Sequence, residues 1–170
     1  MTTPAATAVL ETPVGPLSLV LAPDGAVLAS GFGDLAALVA RLRLDGTPLQ
    51  AAADVVAPVA AAVQRYFAGD LEALDEVAVR QSGGAFSAAA WEQLRATVPG
   101  QAVTYSELAR RAGSPGAARA AGQACARNLA APFVPCHRVV PAGGGVGSYA
   151  YGAAVKSSLL AHERAVRAAE

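Results

Sequence analysis

Apolar and polar positions alternate near the start of the chain. Leu17, Leu19 and Leu21 are separated by Ser18 and Val20, Pro23-Asp24-Gly25 offers a turn, and Val27 and Leu28 begin a return segment. A period of two interrupted by turn residues predicts a β-hairpin over residues 8–32. Asp34 is placed to cap a helix over 35–44. Val59, Val63 and Phe67 recur at intervals of four and predict a helix over 58–67, which Gly69-Asp70 ends. The run 71–79 predicts a further strand, and Ser82-Gly83-Gly84 reads as a linker.

Past the linker the period lengthens. Phe86, Trp91, Leu94 and Val98 fall on roughly one face of a predicted helix over 87–97, and Pro99-Gly100 breaks it. A short helix over 106–112 contains Leu108 and stops at Gly113; Pro115 then suits the first turn of a third helix reaching about 126. Two short helices around a Gly-containing turn, the second carrying Arg119 and Arg127, fit a helix-turn-helix, and an ordinary helical hairpin fits the same pattern. Residues 133–141 are apolar and flanked by prolines, with Cys136-His137-Arg138 in their middle; a glycine-rich loop follows and a last helix is predicted over 153–168. No internal repeat is visible.

Hydrophobic residues make up 54% of the 170, enough for a real core, although much of that share is alanine. The formal net charge of zero conceals an asymmetry. Residues 1–85 hold four basic and nine acidic side chains, a net of −5, so residues 86–170 carry +5. A basic half beside an acidic one points the second half toward an anion such as nucleic acid; unevenly distributed solvated charge is the plainer reading. The two cysteines, Cys125 and Cys136, with His137 and His162 form no zinc pattern, because no C-x-x-C pair is present. No secretory signal and no membrane-length apolar run is seen, which predicts a cytoplasmic protein with reduced thiols.

A cysteine beside a histidine in an apolar stretch can be a nucleophile, since the thiolate is the reactive form and an imidazole can take its proton. In an extended segment adjacent side chains point apart, so contact between Cys136 and His137 needs a bend or a bridging water. Glu163, on the last helix, is placed to orient the histidine. On these residues alone a buried structural cysteine is the simpler reading.

A longer pattern changes that balance. Pro135-Cys136-His137-Arg138-Val139 resembles the signature of the O6-alkylguanine-DNA alkyltransferases. The resemblance continues through Gly145-Val146-Gly147-Ser148-Tyr149, Lys156, Leu159-Leu160 and Glu163. Upstream it includes Thr104-Tyr105-Ser106-Glu107-Leu108-Ala109, Ala117-Ala118-Arg119-Ala120-Ala121-Gly122 and Asn128. It covers residues 86–165 almost without gaps. Tyr66-Phe67-Ala68-Gly69 and Thr12-Pro13-Val14-Gly15-Pro16-Leu17 resemble that family's first domain.

The resemblance implies an α/β domain over residues 1–82, ribonuclease-H-like with a small antiparallel sheet and helices. It implies a mainly α domain over 83–170, a winged helix-turn-helix that binds DNA and accepts the alkyl group. The implied reaction is a single, suicidal transfer from O6-alkylguanine in double-stranded DNA, with O4-alkylthymine a possible second substrate, to Cys136. The base must leave the stack to be reached. Cys136 is then the acceptor, with His137, through a water, and Glu163 removing its proton. Tyr105 crowds the backbone phosphate and donates to guanine N3. Arg119 fills the hole left by the flipped base, and Asn128 ties the helix-turn-helix to the cysteine loop. The carbonyls of Cys136 and Val139 accept from the exocyclic amine, the Ala150 amide donates to O6, and Tyr149 walls the pocket. Arg138 pairs with an acid across the interface, from the first domain. The thioether product needs no cofactor and no metal. The protein is expected to be a monomer, off the membrane, and nucleoid-associated when bound to DNA.

Three positions depart from the family pattern: Leu129 stands where a proline often follows the asparagine, Ala150 where a serine is common, and Tyr151 where a glycine is common. If the Tyr151 ring points inward it narrows the alkyl pocket; the other outcome is a ring turned to solvent or DNA. Two other classes compete. A damage-binding relative lacks the cysteine that is present here, and a cysteine hydrolase would turn over.

Overall fold

The computed structural model describes residues 5–44 and 46–170. Among them the chain forms six α-helices and six short strands, a small α/β protein with one mixed sheet and one two-stranded pair. It divides into two compact units, Met1–Gln81 with Leu129–Phe133, and Ser82–Asn128 with Val134–Glu170.

In the first unit the expected hairpin is part of a wider sheet. Strands β1 (Ala6–Leu10), β2 (Leu17–Leu21), β3 (Val27–Gly31) and β4 (Leu49–Gln50) lie in the order β3-β2-β1-β4. β2 pairs antiparallel with both neighbours, whereas β4 joins β1 in parallel, so the sheet is mixed and not antiparallel as expected. All five residues of β2 are buried, because it is a central strand with both faces covered. Val20 and Ala29 face Leu38 of helix α1 (Leu35–Arg41), and Leu17, Leu19 and Leu21 point to the other side. Asp34 caps α1 as expected, accepting from the Ala37 amide at 3.0 Å. The helix ends at Arg41, short of 44, and Leu42 and Leu44 turn back onto the Val20–Leu38 cluster.

Helix α2 (Ala53–Phe67) starts a turn before Pro58, where the sequence had suggested its beginning. Asp54 suits the helix N-terminus, and the buried stripe Val59, Ala62, Val63 and Tyr66 offsets the hydrogen bond that the proline removes. The strand expected over 71–79 is instead a 3-10 turn, Ala73–Glu76, with one bridge from Val79 to Val27. Leu71, Leu74 and Val77 are buried three apart, a helical and not a strand period, and Arg65 holds Asp70 and Glu76 on the turn's flanks at 2.6 and 2.7 Å.

The second unit is mainly helical. Helix α3 (Ala85–Arg95) buries Trp91 and Leu94, while Val98, expected on the same face, is exposed. A Cβ on Gly83 would lie 2.5 Å from the Trp91 ring, so the linker residue has to be glycine for the indole to lie down. Trp91 Nε1 donates to the Ala124 carbonyl at 2.9 Å, joining α3 to helix α5 (Ala118–Arg127). Helix α4 (Tyr105–Arg111) is capped by Thr104, which accepts from the Glu107 amide at 3.1 Å. Pro115 and Gly116 sit in the turn ahead of α5 and not in its first turn. Strands β5 (Val103–Thr104) and β6 (Val139–Val140) pair in parallel, and helix α6 (Ala153–Ala168) occupies its expected span.

Leu129–Phe133 departs from the expected boundary, since a division at 82 had placed it in the second half. The reason is local. Ser30 donates its amide to the Leu129 carbonyl at 2.6 Å and its hydroxyl to the Ala131 carbonyl at 2.7 Å, and the Leu129 amide donates to Gln81 Oε1 at 3.0 Å. One parallel bridge, Ser30 to Ala130, thus ties the segment to β3.

Candidate active site

Everything needed for the site comes from the second unit, and the β5–β6 pair organises it. Tyr105 begins α4 directly after β5, and Cys136 lies in a 3-10 turn, Cys136–Arg138, directly before β6. The register Val103 to Val139 and Thr104 to Val140 therefore brings the start of α4 beside the cysteine turn. The turn also supplies the bend that an extended segment would lack. Cys136 donates its amide to the Val134 carbonyl at 2.9 Å, and the same carbonyl accepts from Asn128 Nδ2 at 2.8 Å. Asn128 caps α5 and its amide also reaches the Cys136 thiol. One asparagine thus links α5, the approach to the turn and the sulfur.

His137 and Glu163 are both 0% exposed. His137 Nε2 lies 2.8 Å from Glu163 Oε1, so Glu163 orients the imidazole as expected. Arg138 is a correction. It had been assigned a partner in the first domain, but its guanidinium contacts Glu163 at 3.0 to 3.3 Å and the Thr97 carbonyl and hydroxyl at 3.1 and 3.0 Å. Glu163 also accepts from the Gly100 amide at 3.2 Å. The Pro99-Gly100 break after α3 is thereby used twice, to stop a helix and to present an amide to a buried carboxylate. Thr97 and Gly100 carried no sign of this in the sequence.

Electrostatics fixes the protonation of the cluster. Burial opposes ionisation of Glu163, but the bonds from His137 and Arg138 outweigh it and hold the carboxyl well below the usual range. Burial pushes His137 down more than Glu163 lifts it, so the imidazole is neutral near pH 7. With Glu163 ionised, Nε2 carries the hydrogen and donates to it. Nδ1 is then the acceptor, and it is buried with no hydrogen-bond partner among the described residues. Burial raises the Cys136 thiol, while the Asn128 hydrogen bond and Lys156 pull it back. Cys125 is pushed up to about 12 by burial and by Cys136. The Tyr105 hydroxyl is raised by burial and by the two thiols, so it stays protonated. A Cβ on Gly122 would sit 3.9 Å from the Tyr105 ring, which packs over that face of α5.

The remaining candidates divide between the turn and the loop. Arg119 is exposed in the first turn of α5 and has no ion pair among the described residues. Tyr149 and Tyr151 are half-buried and meet edge to face, centroids 5.5 Å apart at 79°. Ala150, between them, is exposed. Val139 is buried and its carbonyl already accepts from Lys156 Nζ at 2.6 Å. Lys156, which the sequence showed as part of the pattern without a role, donates as well to the Ser148 carbonyl at 3.1 Å. Gly147 lets the loop pass here: at φ +75° it adopts a backbone that L residues avoid, and a Cβ would meet Pro141 at 2.8 Å. Among the described residues no group of three His, Cys, Asp or Glu could hold a metal, and no helix is long and apolar enough to cross a membrane.

Comparison with known proteins agrees with this geometry. The family described as 6-O-methylguanine DNA methyltransferase, DNA binding domain, matches residues 85–165. The methylated-DNA–protein-cysteine methyltransferase of Salmonella typhimurium is 43% identical over 98 residues, which are 58% of this chain; the chain spans 57% of that relative's length. The protein of the same name from Mycobacterium leprae is 34% identical over 155 residues, 91% of this chain and 90% of the relative. The crystal structure of Mycobacterium tuberculosis O6-methylguanine methyltransferase shares the fold with a TM-score of 0.77 at 28% identity, covering 95% of this chain and 93% of that one. Mycobacterium tuberculosis OGT in complex with DNA gives 0.76 at 28% identity, covering 93% and 92%. A fold held over nearly the whole length, and a cysteine turn wired to a buried His–Glu–Arg cluster within the matched span, place this sequence plainly: the chain belongs to the family of methylated-DNA–protein-cysteine methyltransferases.

Proposed function

We propose that this protein repairs alkylated DNA by moving the alkyl group from guanine O6 onto Cys136, once per molecule. The observation that carries the reading is His137. It is fully buried, hydrogen-bonded through Nε2 to a carboxylate, and left with an Nδ1 that has no hydrogen-bond partner among the described residues. A buried imidazole with one partner fixed and one lone pair free is arranged to accept a proton, here from the Cys136 thiol through a water.

In the proposed step the Cys136 sulfur attacks the alkyl carbon and the C–O6 bond breaks. Its electron pair goes to the guanine, which leaves more readily as Tyr105 donates to N3. The thiol proton goes to Nδ1, and Glu163, already ionised, stabilises the imidazolium. The product is a thioether that water does not cleave, so the protein is spent. The Cys136 and Val139 carbonyls and the Ala150 amide would recognise the guanine edge, with Tyr149 as the wall. The Val139 carbonyl has a second lone pair for this beside its bond to Lys156.

Residues 83–170 form the DNA-binding and alkyl-acceptor domain on this reading, with α4 and α5 as a winged helix-turn-helix, and residues 1–82 a ribonuclease-H-like domain. The relative solved with DNA and the net +5 of residues 86–170 support duplex DNA as the partner. Arg119, at the start of α5 with no ion pair among the described residues, is the finger that replaces the flipped base. The protein acts as a cytoplasmic monomer. The test is a titration of duplex DNA carrying O6-methylguanine: repair should stop at one lesion per chain however much DNA is added. Sustained turnover would overturn this reading in favour of a hydrolase.

A further inference from the structure

Lys156 is a buried cation that the proposed chemistry leaves without a role. Its residue is 1% exposed, and its ammonium donates to two neutral carbonyls, Val139 at 2.6 Å and Ser148 at 3.1 Å. No carboxylate compensates it among the described residues. The contrast with Arg138 is direct, since that buried cation has Glu163. A buried charge is normally paired, because taking it out of water is costly. Lys156 therefore leaves the cysteine pocket with one uncompensated positive charge.

Its position gives that charge a target. Val139 follows Cys136–Arg138 and donates its amide to the Cys136 carbonyl, closing the turn. The ammonium thus rests on the cap of the turn that holds the sulfur. On its other side it holds Ser148, at the far end of the glycine-rich loop, immediately before Tyr149-Ala150-Tyr151. Gly147 passes close by, and a Cβ there would sit 3.7 Å from Nζ. One side chain therefore joins the start of α6 to both ends of the loop that walls the pocket.

We propose that Lys156 is a positioning residue of the acceptor site: it straps the wall loop to β6, and its uncompensated charge stabilises the Cys136 thiolate as that anion forms. The inference deepens the alkyl-acceptor reading and rests on it. The other charged or titratable groups around the sulfur are His137, neutral; Glu163 and Arg138, which cancel; Tyr105, protonated; and Cys125, protonated. Burial lowers the Lys156 ammonium and raises the Cys136 thiol, and against that each group favours the charged form of the other.

Two substitutions separate strap from charge. Lys156→Gln keeps donors for the carbonyls and removes the charge; Lys156→Arg keeps the charge. The readout is the pH dependence of iodoacetamide alkylation at Cys136, followed by peptide mass without DNA. In Lys156→Gln the midpoint should rise by about one pH unit, with a roughly tenfold slower reaction below it, as loss of a nearby opposite charge requires; Lys156→Arg should stay near the parent. A Gln profile that overlays the parent overturns the proposal. If either variant fails to fold, the reciprocal measurement decides. The 13Cε resonance of Lys156 should titrate at lower pH in Cys136→Ser than in the parent, because a thiolate and an ammonium stabilise each other equally. Identical titrations overturn the proposal. Both readouts are taken without alkylated DNA, so they stand or fall separately from the transfer of methyl to Cys136.

Discussion

At the scale of single residues, the chemistry depends on which side chains are free and which are committed. Arg119 has no ion pair among the described residues, and on the proposed reading its work is done only when a base has to leave a duplex. Arg119→Ala should therefore slow repair of O6-methylguanine in duplex DNA by tenfold or more, roughly the loss of one good contact, and leave the reaction with the free base nearly unchanged. Comparing the two rate constants checks this, and equal losses would assign Arg119 a structural role. Tyr151 is committed in part, since its ring meets that of Tyr149 edge to face. Such a pair is worth about 0.5–1.5 kcal/mol beyond its buried area, enough to hold the two rings together, and on the proposed reading the Tyr149 ring walls the alkyl pocket. O6-methylguanine should then react efficiently and O6-benzylguanine poorly, and Tyr151→Gly should restore reaction with the benzyl compound. Unchanged benzyl reactivity in that variant would remove Tyr151 from the pocket. Cys136, His137, Glu163 and Tyr105 were legible in the sequence because their order matched a known pattern. The partner of Arg138 was not, because a long side chain reaches acids on any packed element and spacing says nothing about which. Lys156 was visible only as a letter in the pattern, and a buried lysine has no sequence signal apart from its neighbours in space.

At the scale of elements, the buried cluster links α6, the cysteine turn and the end of α3 through one carboxylate. Glu163 accepts from His137, Arg138 and the Gly100 amide. Removing its charge leaves Arg138 buried and unpaired, which costs about 3–5 kcal/mol. Glu163→Gln should thus lower the unfolding free energy by that order in urea melts as well as slow the transfer; a variant as stable as the parent would contradict the geometry. The same groups set the response to acid. His137 and Glu163 both have folded values below their ordinary ones, so the unfolded chain binds more protons in each window and stability falls as pH falls. The loss should begin below about 6.5, where an unfolded histidine takes up its proton, and deepen below about 4.3, where an unfolded glutamate does. Urea midpoints at pH 8, 6 and 4 would show it, and a flat profile would mean that His137 is not buried neutral. The helices over 153–168 and around Trp91 were legible because an apolar stripe of 3.6-residue period is a strong signal. The segment 71–79 was misread as a strand because its apolar residues recur every three positions, a spacing that a short window does not separate from alternation. Pro58 was misread as a start signal because the buried stripe of α2 tolerates one lost hydrogen bond inside the helix.

At the scale of the whole molecule, the acidic and basic halves of the sequence correspond broadly to two compact units, with Leu129–Phe133 the exception. Pairing of that segment with β3 is a long-range contact, 101 residues apart for Ser30 and Ala131, and no local pattern could reveal it. The parallel addition of β4 escaped for the same reason. What was legible at this scale was the class, a small sheet with helices followed by a helical half around a cysteine turn. On the proposed reading the Cys136 sulfur, and not that of Cys125, is the acceptor; His137 follows Cys136 in the same turn, whereas the Cys125 thiol is pushed up to about 12 by burial and by Cys136. Incubation with duplex DNA containing O6-methylguanine, followed by digestion and mass spectrometry, should find one methyl group on the peptide that carries Cys136 and none on the one that carries Cys125. A methyl group on Cys125, or an unmodified Cys136 after the lesion has disappeared, would rule out Cys136 as the acceptor.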